Sequence, residues 1–390
     1  MRVTGTSAHG VRLPIISKGD DLPAIVAASV ADAVTQGKLT LRASDVIGVT
    51  ESIVAKAQGN YATTEELAAD VRQKFPGGIV GVVFPIFSRN RFVNILKGIA
   101  QGAEKVYVLM CCPNDEVGNP IMDLDDIDRI APVFNEGAVS AANFRKLSNN
   151  FLHPFTGMDY MELYEKAGDN IEVYVSSDPR HILRFTNTVL AAEIHNRFRT
   201  KKRLEAAGAK VVYTLSDLMT APVSGSGYNE KYGVLGSNLS TENRLKLFPR
   251  DCEAFVAKTR AAIEAKTGVA PEVLVYGDGA FKDPVCGIWE LADPVVSPAY
   301  TERLGGQPSE IKLKYVADNM FGDLSGDAKT KAVADMIKAK ESGKATFSEG
   351  TTPRKYADLL GSLCDLVSGS GDKGTPVILI QGYFDDYAAE

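Results

Sequence analysis

Pro271-Glu272-Val273-Leu274-Val275-Tyr276-Gly277-Asp278-Gly279-Ala280-Phe281-Lys282-Asp283-Pro284 is the stretch from which the chain is best read. Val273 to Tyr276 is a short, apolar, β-prone run that stops at a Gly-Asp-Gly turn. Such a turn tolerates positive φ and leaves backbone N–H groups free to face an anion. An acidic residue at a strand end can also hold Mg²⁺ against a phosphate, because hard cations take carboxylate oxygen and keep several waters. Asp278 is therefore the first candidate metal ligand, with Lys282 and Asp283 beside it. The competing reading is a plain strand-to-loop turn with a solvated aspartate.

Size and composition bound what surrounds this stretch. The chain has 390 residues, 45% hydrophobic and 24% charged, as in ordinary soluble globular proteins. A net charge of -6 argues against a nucleic-acid partner, which needs a surplus of Lys and Arg on one face. The five cysteines, with Cys111 and Cys112 adjacent and the others far apart, lack metal-ligand spacing and read as reduced thiols in a cytoplasmic setting. No apolar run approaches the ~18 residues of a membrane span, and Met1 to Pro14 has no apolar signal region.

Working outward, Val11 to Ile16 reads as a strand, and Asp20 or Asp21 with Pro23 opens a helix to about Gln36. Ala43 to Thr50 is a buried strand that runs through Glu51-Ser52 into a helix carrying Lys56; such a junction can take phosphate through backbone N–H groups and the ammonium. Ile79 to Phe84, a helix from about Phe92 to Gln101, and the strand Lys105 to Cys112 make a parallel βαβ unit. Ser88, Arg89, Asn90 and Arg91 stand at a strand C-terminal end of that unit, where anionic ligands collect. Asp123 to Asp128 reads as a capped helix start, and Arg180 to Ala206 as one long helix with a basic end. Val223 to Asn238 is a Gly- and Ser-rich loop, and loops of that length are often functional. Asp251 caps a helix from about Cys252 to Lys266 that Gly268 ends. A final helix, Pro353 to Val367, precedes the apolar strand Pro376 to Gln381.

The order of these motifs resembles the coenzyme F-420:glutamate ligase family, the gamma-glutamyl ligases of the deazaflavin coenzyme. Leu13-Pro14-Ile15-Ile16 with Gly19-Asp20-Asp21-Leu22 is similar to the family's opening. Val49-Thr50-Glu51-Ser52-Ile53-Val54-Ala55-Lys56-Ala57-Gln58-Gly59 resembles its Val-Thr-Ser-Lys-Ile-Val-Ser-Lys-Ala-Glu-Gly. Gly233 to Asn238 falls where the family has Gly-Ile-Asp-x-Ser-Asn, Phe248 to Asp251 matches Leu-Pro-x-Asp, and Gly277 to Phe281 looks like Ser-Asp-Thr-Phe. The resemblance covers roughly 1–80 and 205–390. It implies an α/β (mixed α+β) fold whose ligase-like core is formed by those two stretches, with residues 81–204 as a βαβ-containing insertion.

What the resemblance implies functionally is a GTP- or ATP-dependent ligase, working as a homodimer with Mg²⁺ or Mn²⁺. It would activate a carboxylate of a coenzyme-like metabolite as an acyl phosphate, for attack by the amine of glutamate. In that reading Asp278 and Lys56 are catalytic, and Thr50, Lys56, Ser237, Asn238, Gly277 and Gly279 meet the nucleotide. Asp278, Asp283 and Glu230 are the metal candidates, and Arg89 and Arg91 the substrate-binding ones. Some positions depart from the pattern. Leu235 stands where the family has a metal-binding Asp, Gly279 replaces a Thr, Ala55 a Ser and Gln58 a Glu. Asn229, Glu230, Asp217 and Asp283 are the candidates to replace the missing carboxylate. Two other readings follow from these departures: a ligase for another acceptor, folate or peptide-like, and a non-catalytic relative that binds a nucleotide or metabolite.

Overall fold

β-Branched apolar runs bounded by turn residues build most of this chain. The structure is a computed structural model that describes residues 4–148, 151–154, 156–279, 281–282, 289–290, 293–308, 310–339, 354–369 and 371–388. In chain order the elements are β1 (Ser7–Val11), α1 (Leu22–Gln36), β2 (Val46–Thr50), α2 (Glu51–Gln58), β3 (Tyr61–Thr63), α3 (Thr64–Lys74), β4 (Ile79–Val83), α4 (Arg89–Gly102) and β5 (Lys105–Cys111). There follow α5 (Leu124–Glu136), β6 (Val139–Ser140), α6 (Ala141–Leu147), α7 (Tyr160–Glu165), β7 (Ile171–Ser176), β8 (Thr188–Ala191), α8 (Arg197–Ala206) and β9 (Val211–Thr214). β10 (Asn238–Thr241), β11 (Arg244–Lys246), α9 (Cys252–Thr267) and β12 (Glu272–Tyr276) lead to the C-terminal helix Tyr356–Val367 and the closing strand Val377–Gln381.

Two separate sheets organise these elements. In the first, β2 runs parallel to β12, with Val46 opposite Glu272 and Thr50 opposite Tyr276. The closing strand lies antiparallel between β1 and β2, and Ala299–Tyr300 covers the other edge. Side chains alternate across this sheet as the pleat requires. Ile47, Val49, Val273 and Val275 face α1 and α9, while Val46, Leu274, Tyr276 and Ile378 face Leu360 and Cys364 of the C-terminal helix. Both faces are covered, which is why these strands read as continuous apolar runs.

The second sheet has the order β6-β7-β5-β4-β8-β9, parallel except for β6. The chain enters at β4, builds outward through β5 and β7, then crosses back to lay β8 and β9 on the opposite side, a doubly wound arrangement. Its core takes in α3 and α4 and draws on residues from Ala62 to Leu247. A small sheet, β10-β11-β3, joins the two parts of the chain that flank this unit. Among the described residues no helix is long and apolar enough to cross a membrane.

Three local expectations are corrected. Residues 180–206 form no single helix: a 3₁₀ turn at Pro179–Arg184 is followed by β8 and only then by α8. The β-branched Thr188 and Val189 are captured between β4 and β9, so ladder pairing overrides helix periodicity. The first strand is Ser7–Val11 rather than Val11 to Ile16; Pro14 has no N–H to give to a ladder. Asp251 precedes α9 as expected, yet its φ is 51° and its side chain makes no capping bond.

Gly48 shows how tightly the first sheet is closed. A Cβ placed there would lie 2.3 Å from the Cys364 sulfur, so the C-terminal helix seats only because position 48 has no side chain. Gly48→Val is expected to lower stability by about 1–3 kcal/mol through overpacking, read from urea unfolding midpoints. A midpoint equal to the wild type would show that the helix does not depend on this contact.

Candidate functional site

The parallel pairing of β2 and β12 brings two acidic residues to one sheet edge. Thr50 and Tyr276 end the strands in register. Glu51 follows as the first residue of α2, and Asp278 lies two residues beyond Tyr276 in the Gly-Asp-Gly turn. The Thr50 hydroxyl caps α2 by accepting from the Ser52 N–H at 3.4 Å. From the second sheet, the Ser88 hydroxyl accepts from the Arg91 N–H at 3.2 Å and so fixes the first turn of α4. That turn carries Arg91 into the first sheet's strand ends.

Arg91 is shared between two carboxylates. One guanidinium nitrogen donates to Asp278 at 2.7 Å, and the other donates to Asp293 at 2.8 Å and to the Gly236 carbonyl at 3.1 Å. The second Asp293 oxygen accepts from the Asp278 N–H at 2.8 Å. Asp365, on the C-terminal helix, accepts from the Gly279 N–H at 2.9 Å. The turn needs its glycines: a Cβ on Gly277 would sit 2.4 Å from an Asp293 oxygen, and one on Gly279 2.9 Å from the Ser362 backbone. Beside this group Lys246 donates to Glu51 at 2.6 Å, both nearly buried. The other Glu51 oxygen and the Ser237 hydroxyl are buried without a hydrogen-bond partner among the described residues.

Four carboxylates thus face two cations. Desolvation, with the Asp293 charge next, pushes the Asp278 carboxyl up to about 7. Burial also raises Glu51, against the pull of Lys246, and raises Asp365. For Arg91, burial disfavours the charge, but the charges of Asp293 and Asp278 outweigh it and hold the guanidinium above its ordinary range. An edge with uncompensated negative charge, raised carboxyl pKa values and an unpartnered buried oxygen has the character of a functional site rather than of a structural ion pair.

Several of the expected residues meet here. Asp278, Gly277, Gly279, Thr50 and Arg91 line the edge. Ser237 follows the Gly236 whose carbonyl Arg91 holds, and Asn238 pairs with Lys246 across β10 and β11. Lys56 lies five residues along α2 from Glu51, about 7.5 Å of helix rise. Arg89 is exposed and reaches Asn90 rather than the edge. Leu235 is 1% exposed and packed in the second core. Of the proposed replacements for its missing carboxylate, Asp217 is tied to the Thr214 N–H and hydroxyl. Asn229 is buried and bonded to Phe248, Pro249, Lys231 and Tyr232, and Glu230 lines a different cleft. Asp283 lies outside the described residues.

The sequence reading missed Asp293, Asp365, Glu51 and Lys246 as site residues. Only two of them carried a local signal: Glu51 directly follows a buried strand, and Asp365 interrupts the apolar run Leu363-Cys364 with Leu366. A model of a family described as F420-0:gamma-glutamyl ligase matches residues 10–382, a span that runs through 81–204. No curated protein matches the chain.

Two outcomes follow. Arg91→Ala leaves the fully buried Asp293 without its cation and is expected to cost about 3–5 kcal/mol, with Arg91→Lys between it and the wild type in chemical unfolding. Asp278, at about 7 when folded and 3.8 as a free carboxyl, contributes stability that is complete below the lower value and lost as pH rises through the higher one. Asp278→Asn removes that loss, so the variant should gain on the wild type between pH 4 and 8. Parallel stability curves over that range would show that Asp278 does not titrate there.

Proposed function

Because the chain belongs to the F420-0:gamma-glutamyl ligase family, we propose that it joins the amine of glutamate to a carboxylate of a coenzyme-like metabolite at the expense of GTP or ATP. The observation that carries this reading is the edge where Asp278, Asp293, Asp365 and Glu51 outnumber Arg91 and Lys246 by two charges. In the proposed sequence the acceptor carboxylate attacks the terminal phosphorus of the nucleotide. The bond to the departing nucleoside diphosphate breaks, and an acyl phosphate forms. The glutamate amine then attacks the acyl carbon, loses a proton, and inorganic phosphate leaves.

The protein's own groups suit the parts they would take. Arg91 and Lys246 bring positive charge to where the transferring phosphoryl carries its negative charge. Gly277 and Gly279 let the backbone approach closely, and Thr50, Lys56, Ser237 and Asn238 supply donors around the strand ends. In this proposal residues 81–204 shape the acceptor end, where the exposed Arg89 offers a charge, and the chain works as a homodimer.

The family also implies a divalent cation, and the donor set can be tested against it. Among the described residues no three His, Cys, Asp or Glu side chains converge closely enough to hold an ion. In charge and donor type the residues nonetheless fit. The oxygens are hard, two negative charges are uncompensated, and one Glu51 oxygen is buried and unpartnered. Because Mg²⁺ takes only one or two protein carboxylates and completes its shell with water and phosphate, Asp278 with either Glu51 or Asp365 would hold Mg²⁺ or Mn²⁺, which when bound would neutralise phosphate charge. A second reading, a relative that binds nucleotide without turning it over, draws on the buried Leu235.

Calorimetry of GTP and ATP, each with and without Mg²⁺ or Mn²⁺, tests the proposal. Metal-dependent binding is expected for one nucleotide. It should weaken in Asp278→Ala by more than the ~10- to 100-fold that loss of an outer-shell partner costs a metal site. Absence of binding under every metal condition would sink the ligase reading, and binding without turnover in the presence of glutamate would favour the second one.

A further inference from the structure

A second concave surface lies beside the acidic edge and takes no part in the account above. It is a cleft of about 230 Å³ between the turn at 228–232 and the segment 249–253 that opens α9. Its walls are built rather than incidental. Asn229, 4% exposed, spends its whole amide on them: its NH₂ donates to the carbonyls of Phe248 and Pro249, and its oxygen accepts from the N–H groups of Lys231 and Tyr232. Gln58, from the end of α2, clamps Arg250 from behind. Its amide nitrogen donates to the Arg250 carbonyl at 2.5 Å, and its oxygen accepts from the Arg250 N–H at 2.9 Å. The backbone on both sides of the cleft is thereby fixed by side-chain amides, Asn229 buried and Gln58 half-buried.

The groups presented into that frame carry both signs. The Arg250 guanidinium lies 4.3 Å from the centre of the Tyr228 ring, and the Lys231 ammonium 5.0 Å from that of Tyr232. Each cation thus lies against an aromatic ring, and among the described residues neither forms an ion pair within 4.0 Å, although Glu253 lies near enough to favour the Lys231 charge. Glu230, Asp251 and Glu253 line the same space, and the Asp251 side chain makes no capping bond to α9. Two ring-supported cations among carboxylates, around a space of this size, match a small zwitterion whose carboxylates pair with Arg250 and Lys231 and whose amino group faces the neighbouring acidic edge. The cleft also adjoins the acidic edge. Gln58, which clamps Arg250, ends the same helix α2 that Glu51 begins, and Pro298, which lines the cleft, follows Ser297, whose hydroxyl donates to the Val275 carbonyl of β12.

We infer that this cleft is the amino-acid subsite, holding glutamate by Arg250 and Lys231 with its amine toward the acidic edge; the inference rests on the ligase reading. Calorimetric titration with L-glutamate, in the presence of nucleotide and Mg²⁺, tests it on the full chain. Wild type should show saturable binding, and Arg250→Gln and Lys231→Gln should each weaken it at least about tenfold, the scale of one lost charge-assisted contact. Nucleotide affinity should stay unchanged in both variants. Arg250→Gln keeps the backbone bonds to Gln58, and an unchanged Tm establishes that the cleft is intact; Lys231→Gln, at an exposed turn, provides an independent readout.

Glutamate binding that is undiminished in both variants overturns the inference while leaving the ligase reading in place. So does a loss of nucleotide rather than glutamate affinity, which would make the cleft a nucleotide site. Absence of saturable glutamate binding by a wild type that still binds nucleotide with metal also overturns it. Failure of the wild type to bind nucleotide at all is the separate result that sinks the ligase reading itself.

Discussion

A single guanidinium ties the ends of the two sheets together. Arg91 grows out of α4, an element of the doubly wound sheet, and ends on Asp278 and Asp293, which belong to the loops beyond β12 in the other sheet. Its third partner, the Gly236 carbonyl, closes the long loop that leads to the small third sheet. The Arg91 side chain is 13% exposed and Asp293 wholly buried, so that arm acts across a poorly screened medium, while Asp278 is 37% exposed. Removing either partner would strand a charge, while the second sheet is also held by its own core against Leu235, Leu245 and Leu247 and by Asn94 and Lys97 of α4 on Thr241 and Glu242.

The same crowding that makes the bridge strong leaves the site unsatisfied. Lys246 and Glu51 form a second buried pair nearby, Asp278 and Asp293 must share the one Arg91, and Asp365 accepts from the Gly279 backbone N–H. Burial foremost, with the neighbouring carboxylates adding to it, raises the pKa values of Asp278, Glu51 and Asp365. An arrangement kept despite such a cost is best explained by a cationic or phosphate-bearing partner that relieves it. The glycines on either side of Asp278 show how little slack the arrangement has, since any Cβ at 277 or 279 would strike Asp293 or Ser362.

Beside the charged edge, the cleft at Arg250 uses a different physical device. Its cations are supported on tyrosine rings and its backbone is pinned by Asn229 and Gln58. Gln58 stands where the resemblance places a glutamate; here the neutral amide can give and accept one hydrogen bond to the same residue, which a carboxylate could not. The departure thus has a structural use on the side of the fold where the amino acid is proposed to bind.

By itself the sequence determined the local elements and the strand-end turn. Uninterrupted apolar runs marked β2, β4, β5 and β12, because strands buried on both faces leave no polar alternation. Gly-Asp-Gly marked Asp278, because only glycine permits the close backbone approach. It also placed the chain among ligases by motif order. Tertiary structure alone decided that Thr188–Ala191 would be a strand, since that choice is made by ladders to β4 and β9 some 100 residues upstream and 20 downstream in the chain, on the order of the separations over which local propensity carries no information. It alone brought Asp293, Asp365, Glu51 and Lys246 to Asp278. Those residues come from separate loops, helices and strands, and charge has no periodicity along a chain; what relates them is distance in space, fixed by the parallel register of β2 with β12 and by the reach of Arg91.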